Sequence, residues 1–428
     1  MQHQRILIIG AGFAGVWSAL AAKRLINLST GDGSSSATAI EVVVVAPEEE
    51  LVIRPRLLEA SPEKMTVPLG DIFRKTGIRF VKGTVGTIHT TQREVEVMLA
   101  DGTSQSTIKY DRLILAAGSR LIRPEIPGFD QYAFNVDQMP DAIKLDSHLK
   151  KLASLPSSSA RNTVVVCGGG FTGIEIAGDL PTRLRSIMGS AVNVRVILVD
   201  TGKEVASALG PGPRPVIAKG LKDLGVEVKL ETAVRSIDSG GVTTSTGERI
   251  EALTTIWTAG MAATGLTEQV NGEKDKAGRL HVDPYLRVPS SPGVFATGDA
   301  AYAATDRHGN FSMMSCQHAL YLGRVSGHNA VAELLNIDQV EYYQERYTSC
   351  LDLGPRGAVF TKGWERRVEY TGLMAKAIKK YICTVLIYPP ANQSEALEAA
   401  KPITSEPAMT IMDILYVIRF LIPLSLGL

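Results

Sequence analysis

Short apolar runs rich in valine and isoleucine recur along the chain and predict buried strands. They cover residues 5–9, 40–45, 164–167 and 194–199. These runs lack the alternation of apolar and polar positions that marks a half-exposed strand, so we expect parallel sheets covered on both faces. The first and third runs each lead into a glycine turn and a helical pattern. The pattern therefore predicts one βαβ unit in each half of the chain.

Both glycine turns have the spacing G-x-G-x-x-G. The first holds Gly10, Gly12 and Gly15, and the second holds Gly168, Gly170 and Gly173. One such motif is weak evidence, but two of them, each between a strand and a helix, predict two dinucleotide sites. Two dinucleotides in one protein indicate electron transfer between them, most simply from a nicotinamide to a flavin.

The two halves of the chain also resemble each other beyond the βαβ unit. Each continues into a β-hairpin region and then into a strand that ends in small residues, at residues 112–119 and 255–260. Small residues there allow the backbone to approach a cofactor. Residues 294–301 form another strand, which ends in a glycine and an acid. The chain is therefore expected to return to its first domain.

The predicted fold class is α/β, with two Rossmann-like domains, the first interrupted by the second, and a C-terminal α+β region. The Gly/Ser-rich residues 29–38 are predicted to form a surface loop. The expected boundaries are 1–125 and 276–335 for the first domain, 126–275 for the second, and 336–428 for the C-terminal region.

Charge and cysteine usage exclude several classes of function. The net charge of +1 gives no electrostatic attraction to nucleic acid. The four cysteines form no C-x-x-C pair and show no zinc-ligand spacing, so neither a dithiol relay nor a metal site is expected. Cys167 ends a strand pattern and is predicted to be a buried core thiol. The few scattered thiols suit a reducing, cytoplasmic compartment, and no targeting segment or membrane-spanning run is recognised.

Five motifs in this order resemble the two-dinucleotide-binding-domain flavoproteins: GAGFAG, LILAAGS, GGGFTGIEIAGDL, TIWTAG and VFATGDAA. Within that superfamily the chain is most similar to type II (non-proton-pumping) NADH:quinone oxidoreductases and the related apoptosis-inducing-factor-like quinone reductases. The resemblance covers residues 5–335. It implies FAD at the first glycine turn and NADH at the second.

The resemblance also implies which residues contact each cofactor. For FAD they are Gly10, Gly12, Phe13, Ala14, Gly15, Glu48, Ala117, Gly118, Gly298, Asp299, Ala300 and Gln317. For NADH they are Gly168, Gly170, Phe171, Thr172, Gly173, Glu175, Asp200, Ala259 and Gly260.

Three positions concern recognition of a ribose or a ribitol. Asp299 is similar to the acid that hydrogen-bonds the flavin ribitol. Asp200 ends the second strand of its unit, where a carboxylate accepts from a ribose 2′-OH and repels a 2′-phosphate, so NADH is favoured over NADPH. Ala46 stands where the family has an acid for the FAD ribose, and either Glu48 or backbone groups are expected to replace it.

Three residues are candidates for catalysis. Glu175 matches a family glutamate close to the nicotinamide–flavin contact. Type II quinone reductases carry A-Q-x-A-x-Q-Q-G where this chain has residues 316–323, so Gln317 is retained while Tyr321 and Leu322 replace the later glutamines. Tyr321 is expected to hydrogen-bond a quinone carbonyl and stack on its ring. The replacement of these glutamines is also consistent with an electron acceptor other than a quinone.

The apolar tail, residues 409–428, has alternative interpretations. Type II enzymes dock on membranes through C-terminal amphipathic helices, and the tail suits such an interfacial anchor at the cytoplasmic face. It suits equally a helix packed on the protein's own core or on a second subunit of a homodimer. Nearby basic residues are expected to meet anionic headgroups. They are Arg366, Arg367, Lys376, Lys379 and Lys380.

The sequence supports three functional hypotheses. The first is an FAD-dependent enzyme that passes a hydride from NADH to FAD and two electrons to a quinone. The second is a soluble NADH-dependent flavoprotein reductase of a small aromatic metabolite or an electron-carrier protein. The third is a redox sensor like apoptosis-inducing factor. A sulfide:quinone oxidoreductase using Cys167 and Cys350 is disfavoured, because such enzymes need no NADH site.

Overall fold

The computed structural model describes residues 4–31, 39–403 and 411–425. Its strands are Gln4–Ile9 (β1), Ile40–Ala46 (β2), Glu50–Val52 (β3), Thr66–Pro68 (β4), Arg79–His89 (β5), Glu94–Leu99 (β6), Gln105–Lys109 (β7), Arg112–Leu115 (β8), Ser119–Leu121 (β9), Ala133–Phe134 (β10), Thr163–Cys167 (β11), Arg195–Val199 (β12), Val226–Lys229 (β13), Val234–Asp238 (β14), Gly241–Thr244 (β15), Arg249–Glu251 (β16), Thr254–Trp257 (β17), Met261–Ala263 (β18), Leu280–His281 (β19), Val294–Ala296 (β20), Ala301–Tyr302 (β21), Thr348–Asp352 (β22), Ala358–Lys362 (β23) and Arg367–Thr371 (β24).

The helices follow the strands in the order that βαβ units require. They are Phe13–Gly31 (α1), Gly70–Thr76 (α2), Phe129–Tyr132 (α3), Met139–Lys151 (α4), Ser159–Asn162 (α5), Phe171–Met188 (α6), Arg214–Asp223 (α7), Cys316–Leu335 (α8), Gly372–Tyr381 (α9), Gln393–Ala399 (α10) and Ile411–Ser425 (α11). The predicted loop at residues 29–38 starts later than expected, because α1 continues to Gly31. The rest of that loop lies outside the described residues.

The first sheet has seven strands in the order β20-β8-β1-β2-β5-β6-β7. Strands β20, β8, β1, β2 and the start of β5 run parallel, and β6 and β7 form an antiparallel extension. The apolar runs of β1 and β2 are almost wholly buried, as a sheet covered on both faces requires. Because β20 pairs with β8, the chain returns to its first sheet after the second half, as the sequence predicts.

The second sheet has five parallel strands in the order β10-β17-β11-β12-β13. Its centre, β11, is fully buried and leads directly into the second glycine turn and α6. A separate three-stranded antiparallel sheet, β14 to β16, supplies the predicted hairpin region. The duplication seen in the sequence is therefore a duplication of structure.

Two short strands connect the two sheets. β9 leaves the first sheet and β18 leaves the second, and they pair antiparallel, with Ser119 opposite Ala263 and Leu121 opposite Met261. The exits from both sheets are thereby held side by side.

The C-terminal region adds a three-stranded antiparallel sheet, β22 to β24, covered by α9. One face of α11 packs on α9 through the buried Val417. Among the described residues, no helix is both long and apolar enough to cross a membrane.

The expectation that the C-terminal basic residues form a free cationic surface is wrong for most of them. Lys376 pairs with Asp352 at 2.5 Å, and Lys379, whose side chain is 13% exposed, pairs with the buried Glu175. Arg366 is only 7% exposed and lies over the ring of Tyr347. The fold uses these cations internally because they tie the C-terminal region together and to α6.

Candidate dinucleotide sites

The first glycine of each motif makes the same backbone turn. Gly10 has φ = 109° and Gly168 has φ = 116°, a region that residues with a Cβ rarely adopt. The amide of Gly10 donates to the carbonyl of Val45 at 2.8 Å, and that of Gly168 donates to Val199 at 2.8 Å. Each turn is thus fastened to the second strand of its own βαβ unit.

The third glycine of each motif allows helix and strand to approach closely. A Cβ on Gly15 would overlap the carbonyl oxygen of Gly10, and a Cβ on Gly173 would overlap that of Gly168. Side chains at these positions would therefore separate the helix from the turn.

The middle glycines face open space instead. A Cβ on Gly12 or Gly170 would meet no atom within 4 Å. Both stand at the start of a long helix, where free N–H groups and the helix dipole attract a phosphate. We call the glycine turn and helix start at residues 10–15 the first cradle, and those at residues 168–173 the second cradle. Each cradle fits the pyrophosphate of one dinucleotide. The neighbouring predicted contacts occupy the first turns of the same helices: Phe13 and Ala14 on α1, and Phe171 and Thr172 on α6.

Asp200 follows β12 and lies against the second cradle. Its carboxylate accepts hydrogen bonds from the amide of Gly169 and, at 2.6 Å, from the amide of Gly202. The structure thus places Asp200 beside the glycine turn, where a ribose acid is expected.

The corresponding edge of the first sheet is different. Ala46 ends β2 and is 5% exposed, so it offers no side-chain acceptor. Glu48 lies two residues further on, largely exposed, and accepts from Lys82 Nζ at 2.6 Å. Its proposed ribose contact stays a prediction.

Asp299 lies where three strands of the first sheet end. Gly298, with φ = 61°, lets this turn pack against Ala14, since a Cβ on Gly298 would come within 2.7 Å of the Ala14 Cβ. The Asp299 carboxylate accepts from Ser119 Oγ at 2.6 Å. The small residues of the same corner are Ala117 and Gly118, directly before Ser119, and the fully buried Ala300. The structure therefore joins the motifs GAGFAG, LILAAGS and VFATGDAA.

The exit of the second sheet packs on the second cradle in the same way. A Cβ on Gly168 would lie 3.0 Å from the Cβ of Ala259. The hydroxyl of Thr258 donates to the carbonyls of Cys167 and Gly168, and Gly260 turns the chain with φ = 85°. The structure thus brings Ala259 and Gly260 to the second cradle.

Glu175 lies on α6, is 4% exposed, and faces the C-terminal region. Its Oε1 accepts from Lys379 Nζ at 2.7 Å and from the amide of Asp352 at 2.9 Å. Lys379 also donates to the carbonyl of Cys350 and lies 5.2 Å from the ring centroid of Phe171. Burial lowers the pKa of Lys379, but the Glu175 carboxylate, together with Cys383 and Cys350, raises it above its ordinary value, so the ammonium stays charged.

Gln317 and Tyr321 lie one turn apart on α8. Gln317 Nε2 donates to Thr348 Oγ1 at 3.1 Å, so it faces β22 of the C-terminal sheet. The Tyr321 ring packs against the apolar core around α1 and lies 5.6 Å from the Arg324 guanidinium. The structure places Gln317 next to the C-terminal region and Tyr321 next to the first domain.

All four cysteines are free thiols. Cys167 is 3% exposed, and burial raises its pKa to about 12. The predicted core thiol is confirmed. Cys167 packs among apolar residues of the second sheet, whereas Cys350 packs in the C-terminal cluster, so they do not form a dithiol.

The sequence patterns did not reveal several residues of these sites. Lys379 is predicted to lie at a surface, and Ser119 ends the motif LILAAGS without an assigned contact. No motif pointed to Arg54 or Asp137. Arg54 bridges Asp137, with Nη2–Oδ1 at 2.5 Å, and Ser119, with Nη1–Oγ at 3.1 Å. Only the position of Arg54 after a short strand could have drawn attention to it.

Comparison with known proteins agrees with this arrangement. Residues 4–323 match the family described as pyridine nucleotide-disulphide oxidoreductase. An NADH dehydrogenase-like protein of Mycobacterium tuberculosis is 43% identical over 403 residues, which cover 93% of this chain and 98% of the relative. A type II NADH:quinone oxidoreductase of the same organism is 28% identical over 330 residues, covering 70% and 67% of the two chains.

A solved structure shows the fold. NDH2 from Plasmodium falciparum, in complex with NADH, superposes with a TM-score of 0.71 at 16% identity, covering 93% of this chain and 97% of that one. The predicted α/β fold with two Rossmann-like domains is confirmed, while the residue boundaries of the domains and the individual cofactor contacts stay predictions. The chain belongs to the pyridine nucleotide-disulphide oxidoreductase family, and it is an oxidoreductase that works with FAD and NADH.

Proposed function

We propose that this protein passes a hydride from NADH to FAD and then two electrons to a quinone. The observation that carries the proposal is the pair of matching glycine cradles, one at the edge of each parallel sheet. The relative from Mycobacterium tuberculosis named as a type II NADH:quinone oxidoreductase supports the quinone as acceptor.

The chain's own residues would hold the cofactors. The amides around Gly12 and Gly170 bind the two pyrophosphates, Asp299 accepts from the flavin ribitol, and Asp200 accepts from the ribose of NADH. Bound FAD supplies the redox chemistry, since it accepts a hydride and yields two electrons to the next acceptor. The protein's task is to align the two rings, because hydride transfer needs no acid or base of its own.

The acceptor, however, takes up protons as well as electrons. The Lys379 ammonium is a buried proton donor in the wall that α6, β22 and α9 form. Lys379 donates to the carbonyl of Cys350 on β22. Gln317, a candidate catalytic residue, donates to Thr348 on the same strand. We therefore propose that Lys379 lies on the acceptor side. We assign to it the transfer of a proton to the reduced quinone, with Glu175 holding it in place.

Anaerobic stopped-flow spectroscopy tests the acceptor. The FAD-loaded protein is reduced with one equivalent of NADH and then mixed with a water-soluble ubiquinone or menaquinone analogue. We expect rapid loss of the oxidised-flavin absorbance, followed by reoxidation by quinone at least about 100-fold faster than by air-saturated buffer without quinone.

Other outcomes separate the alternatives. Rapid reduction with reoxidation no faster than in air-saturated buffer would contradict the quinone as acceptor and favour a different small molecule or an electron-carrier protein. Negligible turnover with NADH-dependent dimerisation would favour the redox sensor. Failure of NADH to reduce the flavin would reject the whole proposal.

We also propose that the outer face of α11 docks on the cytoplasmic surface of a membrane. Four large aliphatic side chains on this face are 43–55% exposed: Ile414, Leu415, Ile418 and Ile422. The opposite face, including Val417, packs on α9, so this apolar face is not covered by the rest of the described chain. Moving one aliphatic side chain fully out of water is worth about 1.5–3 kcal/mol, so four together suffice for reversible interfacial binding.

Two substitutions on this face test the membrane contact. Leu415→Glu with Ile418→Glu should reduce co-sedimentation with vesicles of neutral and anionic phospholipid at least about 10-fold, since two charges enter the interface. Leu28→Glu, at a 53% exposed leucine on α1, is the matched control and should sediment like the wild type. The alternative is that this face contacts a second subunit, and light scattering without lipid measures the oligomeric state. If the wild type is a dimer and the double variant a monomer, the face would be assigned to a second subunit.

A further inference from the structure

A polar network joins the first domain to the second beside the expected FAD site. Its four residues are Arg54, Ser119, Asp137 and Asp299. On the first-domain side, Arg54 Nη1 donates to Ser119 Oγ at 3.1 Å and lies 3.5 Å from Asp299 Oδ2. Ser119 Oγ in turn donates to the same Asp299 oxygen at 2.6 Å. The guanidinium and the hydroxyl thus fix one oxygen of the carboxylate that is expected to bind the ribitol.

On the second-domain side the same guanidinium holds Asp137. Arg54 Nη2 donates to Asp137 Oδ1 at 2.5 Å, and the other oxygen, Oδ2, accepts from the Leu121 amide and from Gln138 Nε2. Asp137 lies between β10, an edge strand of the second sheet, and α4. Its side chain is 7% exposed, so its charge is balanced almost wholly by this set of donors.

The geometry uses a property that only arginine has. A guanidinium is planar and presents donors in two directions, so one side chain can serve two carboxylates on opposite sides. Asp137 follows β10 of the second sheet, Asp299 follows β20 of the first, and Arg54 comes from a third element, the turn after β3. Its side chain is 31% exposed, which leaves its charge only partly screened by water.

We infer that Arg54 is a positioning residue for hydride transfer: it ties the FAD acid Asp299 to Asp137 of the NADH-binding domain and so fixes how the two cofactor rings meet. This inference rests on the proposed function for its hydride step but does not depend on the acceptor. Misplacing reacting atoms by about 1 Å costs on the order of 100-fold in rate. A bridge across the two domains is therefore a place where a single side chain controls that rate.

Two variants test this inference in stopped-flow reduction by NADH. Arg54→Met and Asp137→Asn should each slow flavin reduction at saturating NADH about 10- to 100-fold, while the Kd of NADH for the oxidised enzyme changes less than about 3-fold. Arg54→Met should also lower the flavin midpoint potential, because it removes a positive charge beside Asp299. Arg54→Lys should restore that potential but not the rate, since an ammonium cannot reach both carboxylates.

A neighbouring arginine provides the matched control. Arg56 lies two residues further along the same turn and pairs with Glu59 at 2.8 Å. Arg56→Met should leave the reduction rate within about 2-fold of the wild type. The double variant Arg54→Met/Asp137→Asn should be no slower than the slower single variant, because both residues act as one bridge.

The result that overturns the inference is a wild-type reduction rate in Asp137→Asn, which leaves the Ser119–Asp299 contact intact. If Arg54→Met loses FAD and cannot be assayed, the reduction rate of Asp137→Asn still tests the inference. Failure of the proposed hydride step is distinguishable, since the wild-type flavin would then not be reduced by NADH at all.

Discussion

Valine at Gly170 is expected to abolish reduction of the bound flavin by NADH while FAD stays bound, whereas valine at Gly12 is expected to yield protein without FAD. At both positions a Cβ would meet no atom within 4 Å, so the side chain fits the folded chain. It would occupy the space through which a pyrophosphate approaches the helix amides. Losing two charge-assisted hydrogen bonds of about 1.5–3 kcal/mol each weakens binding at least about 100-fold.

The two variants are compared by flavin absorbance after purification and by titration with NADH. Gly86→Val is the matched control, since a Cβ at Gly86, which lies at the register irregularity of β5, also meets nothing within 4 Å. It should keep both FAD and NADH reduction. If Gly170→Val loses FAD and Gly12→Val keeps it, the assignment of the two cradles is reversed. If Gly170→Val is reduced by NADH like the wild type, the second cradle is not the NADH site.

The cradles were predictable because the contacts that define them are local. Gly10 and Gly15 touch across five residues of chain, and the motif records that contact in its spacing. Asp200 could also be predicted from the sequence, since it directly follows the strand that pairs with β11. The parallel sheets could be inferred from apolar runs that need cover on both faces. Each of these inferences uses constraints contained within one βαβ unit.

The polar contacts between units were not predictable in this way. Glu175 and Lys379 are separated by 204 residues, and Arg54 and Asp137 by 83. Nothing in the local pattern of α9 distinguishes a lysine that pairs with a buried glutamate from one that faces water. The expectation of a basic surface at Lys376, Lys379 and Arg366 was wrong for this reason, because their partners come from distant or facing segments.

Breaking the buried Glu175–Lys379 pair is expected to destabilise the protein by about 3–5 kcal/mol, whichever partner is removed. Removing one partner leaves the other charge buried without compensation. The double variant Glu175→Gln/Lys379→Met should lose less stability than the sum of the two single variants, since it leaves no buried charge. Thermal unfolding followed by circular dichroism measures the difference from the wild type. The single variants should also slow reoxidation by quinone.

The two single variants should respond to pH in opposite directions. In Lys379→Met, burial holds the pKa of Glu175 above its ordinary value of 4.5, so the folded state binds more protons than the unfolded state above that pH, and stability falls as the pH rises. In Glu175→Gln, burial holds the pKa of Lys379 below its ordinary value of 10.5, so the unfolded state binds more protons below that pH, and stability rises with pH. Midpoints measured between about pH 5 and pH 9, each relative to the wild type, should therefore diverge with opposite slopes. Parallel slopes would mean that the two charges do not compensate each other in the folded protein, and Lys379 would lose its assignment as the held proton donor.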